Sequence, residues 1–433
     1  MGRWARPRAG ATRVVLVLAL LVAPALLRTS TAAAQAEGPA ITGRLVQNGK
    51  PVPGVKITVK RGRTPIGTTM SDATGMWRVP VGTGGTYQVT LDKKTIPKGF
   101  KLADADRTTL PSVAVQSEGD KFVLFPFGEA GPSGPSDFEE LLNLAVGGIK
   151  FGLIIALAAV GLSLVFGTTG LINFAHGELV TFGALIAWYV NASGGDGPGA
   201  PLLFAGAVGV VAGGLLGGGL DLGLWRPLRR RRTGTIALIV VSIGLALFLR
   251  HVYLVIFKGN PRSFEQFATQ KPWTLGPLSI LPKDAVIIVV SVAVLITLGL
   301  LLQRTKLGTA VRAVTDDPDL AESSGVDVKR IILMVWIVST ALAGLGGVLL
   351  GTTEAVQWDM GLRILLVMFA AVILGGLGSP FGAIVGGLVI GVISEVSTFW
   401  FPTDYKVAFA LLVLILVLLV RPQGILGVRE RVG

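Results

Sequence analysis

Hydrophobic positions follow two different rhythms along the chain. Between residues 39 and 127 they alternate: Val55, Ile57 and Val59 with Lys56, Thr58 and Lys60, then Tyr87, Val89 and Leu91 in the same register. Period two marks a half-buried strand. Asn48-Gly49 offers a tight turn before the first run, Asp72-Ala73-Thr74-Gly75 another before Trp77-Arg78-Val79, and residues 122–125 could close the sheet. Short strands at this spacing predict a small β-sandwich. From residue 140 onward long apolar stretches take over, at 147–167, 177–190, 202–224, 235–256, 284–303, 331–352, 362–377, 381–398 and 405–420. Several approach the length of about 20 residues that crosses a bilayer as a helix. Those at 177–190, 362–377 and 381–398 are short or glycine-broken, which predicts tilted, discontinuous or re-entrant passage and a total of eight or nine spans. The fold class is therefore multi-domain: an all-β sandwich outside the membrane, then a polytopic α-helical bundle.

The segments around these two units read differently. Residues 1–36 carry Arg3, Arg6, Arg8 and Arg13, then an apolar run from Val14 to Leu27, then Ala34-Gln35-Ala36 as a cleavage site. That is the pattern of a secretory signal, too short for a comfortable span. It starts the following segment, 37–127, outside the cytoplasm. Residues 128–139, rich in glycine, proline and serine, form a linker, and 140–433 is the membrane unit.

Composition sharpens this reading. The chain of 433 residues is 51% hydrophobic and 15% charged, with a mean hydropathy of +0.68. Soluble domains carry about a quarter charged residues. The net charge of +13 would suggest nucleic acid in a soluble protein; here it fits basic cytoplasmic loops instead. With the sandwich outside, thirteen basic residues fall in inner loops (Arg226 and 229–232, then five between 304 and 330, then Arg421, Arg429 and Arg431) against six in outer loops. That asymmetry obeys the positive-inside rule. Trp188, Tyr189, Tyr253, Trp358 and Trp400 sit where an outer aromatic belt is expected. The chain has no cysteine and two histidines, His176 and His251, which excludes disulfides, thiolate chemistry and a histidine-rich metal site. No phosphate-binding G-x-x-x-x-G-K-[ST] motif is present. Asp221 and Glu395 are the main acids inside the spans, too few for a proton relay.

Three features exceed what an anchor needs. Glycines recur every four residues at Gly209, Gly213 and Gly217, and again at Gly382, Gly386 and Gly387, and Gly391, which lets helices approach closely in lipid. Two breaks interrupt the apolar stretches: one places Asn173, His176 and Glu178 at membrane depth or its inner edge, the other contains Gly375, Gly376, Gly378 and Ser379. Polar groups there face protein or a water-filled path, and paired broken segments point to a substrate pathway. The loop 304–330 mixes basic and acidic residues, with helical segments around 310–313 and 320–323 and Gly325 as a stop, and suits docking to a cytosolic protein.

At these residues a resemblance becomes specific. Residues 171–178, reading LINFAHGE, resemble the hallmark of bacterial branched-chain amino acid ABC transporter permeases. Trp225-Arg226-Pro227-Leu228-Arg229 with Asp221 upstream is similar to that family's basic loop. Residues 305–330 resemble its ATPase-coupling loop, with Gly308, Arg312, Ala321 and Gly325 at the motif positions. Residues 374–383 with Glu395, and the ending 421–427, resemble its late glycine-rich segment and its C-terminus. The wording favours the H-type subunit. The chain departs from the family pattern at 358–361, at Val367 and at Arg250. Residues 43–75 resemble carboxypeptidase regulatory-like modules, which are non-catalytic.

The resemblance implies a non-enzymatic permease subunit of an ATP-driven importer for branched-chain amino acids or a similar small polar solute such as urea or an amide. It implies a second permease, two cytosolic ATP-binding subunits and an external solute-binding protein as partners. ATP and Mg would be bound by the ATPases, with no cofactor or metal in this chain and no nucleic acid. It places the protein in the bacterial cell membrane. Two other classes stay open on the residues alone: a surface-interaction or sensory protein working through the sandwich, and an ion-coupled secondary transporter.

Overall fold

The computed structural model of the chain describes residues 39–427, except 48–49, 63, 84, 103–107, 116–120, 124, 126, 128–135, 194–196, 265 and 267–269. The signal-sequence reading, the Asn48-Gly49 turn and most of the linker lie outside the described residues. The chain divides into two compact units, one ending at Ser136 and the other beginning at Asp137.

The first unit is built from β strands. β1 (Ala40–Arg44) lies between β6 (Met76–Pro80), antiparallel, and β9 (Lys121–Val123), parallel. A second sheet runs in the order β5 (Thr64–Met70), β4 (Lys56–Arg61), β7 (Gly85–Leu91), β8 (Thr109–Val115). β2 (Val46–Gln47) and β3 (Lys50–Pro51) form a two-residue ladder. Alternation does what it predicts. Val55, Ile57, Val59, Tyr87, Val89 and Leu91 are buried in one core with Ile41, Trp77 and Phe125, while Lys56 and Lys60 face outward. The turn at 72–75 forms as read: the Asp72 carboxylate accepts from Thr74 N, Thr74 Oγ1 and Met76 N at 2.7–2.9 Å, and Gly75 takes φ +77°.

The second unit is a helical bundle. α1 (Asp137–Thr169), α2 (His176–Asn191) and α3 (Leu202–Leu220) are followed by a single π turn at Asp221–Trp225 and by α4 (Arg226–Arg230). Then come α5 (Thr235–Phe257), the hairpin β10 (Trp273–Leu275) with β11 (Leu278–Ile280), α6 (Pro282–Arg304), α7 (Lys306–Asp316), α8 (Pro318–Ser323), α9 (Val328–Thr353), α10 (Met360–Gly375), α11 (Pro380–Val396) and α12 (Lys406–Val420). Each apolar stretch forms a helix. Seven helical segments among the described residues are long and apolar enough to cross a membrane; α2 and α10, of 16 residues each, are shorter than a full crossing.

Contacts sort the connections to two ends of the bundle. At one end, Gly167 meets Gly378 and Thr315, Arg226 donates to Lys329 O, and the C-terminal segment bonds α10 through Ile425 N to Leu374 O, 2.8 Å. At the other, Arg262 and Val356 form a backbone bridge, Lys150 pairs with Asp284 at 3.0 Å and Lys406 with Glu395 at 2.7 Å. The first end is the one richer in basic residues.

The glycine stripes are packing devices. α3 lays Gly209 against Gly183 of α2, and Gly213 and Gly217 against Thr340 of α9. α11 lays Gly387 and Gly391 against Ala156 and Gly152 of α1. A Cβ at these glycines would collide with backbone or with Thr340, so close approach needs glycine there. The aromatic-belt expectation needs correction. Trp188 is buried beneath the Arg262 guanidinium, 4.7 Å from its ring centre, and Tyr253 is buried and donates to Glu178 O. Only Tyr189 and Trp400 of the five are largely exposed.

Candidate functional site

The first break is a return segment rather than a hairpin turn. α1 ends at Thr169, and Gly170, at φ +65°, turns the chain with its N–H on Phe166 O. Residues 170–175 then run back along the bundle. His176 Nε2 lies 2.9 Å from Ala158 O, which is about 16 Å from the end of α1 at 1.5 Å per residue. α2 therefore begins deep inside the bundle. Asn173 is buried and shapes this segment by accepting from Ala175 N at 3.1 Å. Ser242 of α5 accepts from Phe174 N at 3.2 Å, and the Phe174 ring packs on Phe369 of α10.

A second return segment, at 354–359, enters from the opposite end. Val356 is held near the end of α9, beside Gly351, and α10 then starts with Gly361 packed on Gly177 of α2. Gly361 N donates to Thr181 Oγ1 at 3.0 Å. Two short helices thus start face to face within the bundle and run toward opposite ends. Both glycines are required, because a Cβ on either would strike the other's backbone.

Charge gathers at this meeting point. Glu178, in the first turn of α2 and 1% exposed, accepts from Arg250 Nε at 3.0 Å and Nη2 at 2.8 Å, both on Oε1. Asp359, at the start of α10, accepts on Oδ2 from Arg363 Nε at 3.1 Å, with Nη2 at 3.0 Å. Acids near helix N-termini meet the positive end of the helix dipole. Glu178 Oε2, Asp359 Oδ1 and His176 Nδ1 are buried and have no hydrogen-bond partner among the described residues.

The sequence-derived candidates separate here. Asn173, His176 and Glu178 come together at the meeting of α2 and α10. Gly375, Gly376, Gly378 and Ser379 do not join them; they lie at the far end of α10, about 20 Å along its axis from Gly361. There Gly375 packs on Gly382, Gly376 on Gly427, and Ser379 Oγ caps α11 by accepting from Gly382 N at 3.1 Å. Sequence reasoning missed Asp359 and the return segment 354–359. It noted Arg250 only as a departure, and the partner it lacked was Glu178. Asp221, read as an intramembrane acid, is fully buried in the π turn and pairs with Arg229 and, at 3.4 Å, with Arg226; Trp225 stacks on Trp336 beside it.

The arm at 305–327 forms two short helices. Thr305 caps α7 through Gly308 N, 3.1 Å, and Asp317 caps α8 through Asp319 N and Leu320 N. Gly308 and Ala321 are buried against the chain itself, Arg312 is exposed, and Leu320 is 65% exposed. Gly325 takes φ +87° with open space around it.

Residues 144–418 match the family described as branched-chain amino acid transport system / permease component. The chain is similar to the high-affinity branched-chain amino acid transport system permease protein LivH of Escherichia coli (strain K12), 31% identical over 300 residues, 67% of this chain and 96% of that one. Similar too are BraD of Pseudomonas aeruginosa, 31% identical over 66% of this chain and 95% of its own, and LivM of Escherichia coli (strain K12), 25% identical over 83% and 87%.

Proposed function

The chain belongs to the branched-chain amino acid transport system permease family, and from that premise we propose that it is one membrane-spanning half of an ATP-driven importer for branched-chain amino acids or a similar small polar solute. The observation that carries this reading is the meeting of α2 and α10. Two half-length helices with facing N-termini and a charged cluster are the architecture of a solute path inside a bundle. A plain anchor has no use for them. Glu178, Asp221 and Glu395, acids within the bundle that an ion-coupled mechanism would need, are each engaged in an ion pair.

In this reading the basic-rich end is cytoplasmic and the β unit, a carboxypeptidase regulatory-like sandwich, is outside as an accessory module. The path through the bilayer takes nine passes, seven long and two short. A second permease covers part of the exposed apolar surface of α5, α6 and α12. Two cytosolic ATPases bind ATP and Mg and dock on the arm at 305–327, while an external binding protein delivers solute. ATP-driven closure then moves the arm and shifts access from one end to the other. The test is import of radiolabelled leucine by proteoliposomes holding the chain with the permease, ATPases and binding protein encoded beside it. ATP-dependent uptake that disappears without the ATPases is the expected result. Uptake that persists without them, or its absence for leucine, isoleucine, valine, urea and small amides alike, would overturn the assignment.

A further inference from the structure

We propose that Glu178 and Asp359 together form a seat for a primary ammonium group, so that the permease itself recognises the charged amine of an α-amino acid in transit. The inference rests on the transport reading above and narrows its substrate class.

Four observations lead there. Each carboxylate spends one oxygen on its own arginine: Glu178 Oε1 takes both Arg250 bonds, and Asp359 Oδ2 takes those of Arg363. The second oxygen of each, Glu178 Oε2 and Asp359 Oδ1, is buried and has no donor among the described residues. Glu178 directly follows Gly177, and Asp359 lies two residues before Gly361. Both stand at helix starts whose backbones are in contact at Gly177 and Gly361.

A buried carboxylate oxygen without a donor carries a desolvation cost. An ammonium group supplies three donors from one point and can serve two such oxygens at once. Charge balance narrows the ligand further. Glu178 and Asp359 are matched by Arg250 and Arg363, so the cluster is neutral without a ligand. A zwitterion keeps it neutral, whereas a simple amine or a metal ion leaves it positive. Among the described residues no group of three or more metal-ligating side chains occurs. Urea and amides are neutral as well, but their N–H groups bring no formal charge to two carboxylate oxygens. Entry lies on the α10 side, where Arg363, Leu362 and Leu366 are exposed while Glu178 stays covered.

The test uses the complete importer in proteoliposomes with Glu178→Gln and, separately, Asp359→Asn. Both substitutions keep the shape and the bond to the arginine while removing the charge. Leucine import should fall at least tenfold in each, with the melting temperature of the purified permease within a few degrees of wild type and the leucine affinity of the binding protein unchanged. Leucine import at wild-type rate and KM in both variants overturns the seat and leaves the transport reading standing. A tenfold loss that tracks a matching loss of thermal stability in both variants also overturns it, because the carboxylates are then structural. A wild-type importer that carries urea or amides and no α-amino acid overturns the seat together with the amino acid reading.

Discussion

Arg250 of α5 and Glu178 of α2 are joined by two hydrogen bonds that end on the same carboxylate oxygen, at 3.0 and 2.8 Å. The pair ties a long helix to the start of a half-length one, and Tyr253, one turn on, donates to the Glu178 carbonyl at 3.1 Å. Removing Arg250 leaves the Glu178 carboxylate, 1% exposed, buried without its cation, which costs about 3–5 kcal/mol, whereas Glu178→Gln keeps an oxygen for Arg250, whose side chain is 13% exposed. Arg250→Gln should therefore lower the melting temperature of the detergent-purified permease sharply. The double variant Arg250→Gln with Glu178→Gln should recover most of that loss. A double variant as unstable as the single one would show that the pair is not what holds α2.

Close helix crossings give a second prediction. A Cβ at Gly183 would meet the Gly344 backbone, whereas a Cβ at Gly244 meets nothing within 4 Å. Gly183→Ala should destabilise by about 1–3 kcal/mol through overpacking. Gly244→Ala, in an exposed helix position, should be neutral or stabilising by up to about 1 kcal/mol. Parallel thermal melts of the two variants decide the matter; equal behaviour would refute the crossing at Gly183.

Much of this architecture was legible because it rests on periodicity. The alternation of Val55, Ile57 and Val59 with Lys56, Thr58 and Lys60 already separates the buried face of β4 from its outer face, and apolar runs mark each helix of the bundle. What stayed hidden was depth. Nothing in the run 171–178 tells whether it turns at the surface or climbs back to Ala158, since that depends on a bond formed across distant residues. Asp359 escaped for a related reason: in sequence it reads as an ordinary loop acid, and only the contact of Gly361 with Gly177 brings it toward Glu178. Trp188 and Tyr253 misled because aromatic rings near a span end suit both a lipid interface and a core, and their partners Arg262 and Glu178 are remote in sequence.

Sidedness is open to direct test, because the chain has no native cysteine. Ser71 is a poor reporter, being buried with its hydroxyl bonded to Val52 O and Val55 N. Thr86 and Ser323 are exposed. In intact cells an impermeant maleimide should label Thr86→Cys and spare Ser323→Cys. The reverse pattern would invert the proposed topology.

Acid should loosen the β unit at one identifiable turn. Hydrogen bonds from Thr74, first through its hydroxyl, and from Met76 hold the Asp72 carboxyl below its ordinary pKa. A carboxyl with a depressed folded pKa contributes stability above its unfolded value and loses it as pH falls through the folded one. Hydrogen exchange at Leu45 N–H, which bonds to Gly75 O beside this turn, should therefore lose protection, after correction for intrinsic exchange, as pH drops from about 5 to about 2. Asp72→Asn should remove that pH dependence. An unchanged profile in the variant would assign the acid sensitivity elsewhere.

The arm at 305–327 separates two kinds of residue that look alike in sequence. Ala321 is buried within the chain, so enlarging it strains the arm from inside, and Gly325 holds φ +87°, where any side chain adds about 1–2 kcal/mol of backbone strain. Substitutions at either site damage the arm whether or not a partner docks there. Leu320 is different: it is 65% exposed at the first turn of α8, with its N–H held by the Asp317 cap. Burying a leucine against a partner is worth about 1.5–3 kcal/mol, which at about 1.4 kcal/mol per decade is tenfold or more in docking. Leu320→Asp should leave the melting temperature of the isolated permease near wild type, weaken ATPase association at least tenfold in pull-down titrations and reduce uptake accordingly. Wild-type association in that variant would move the docking surface away from α8.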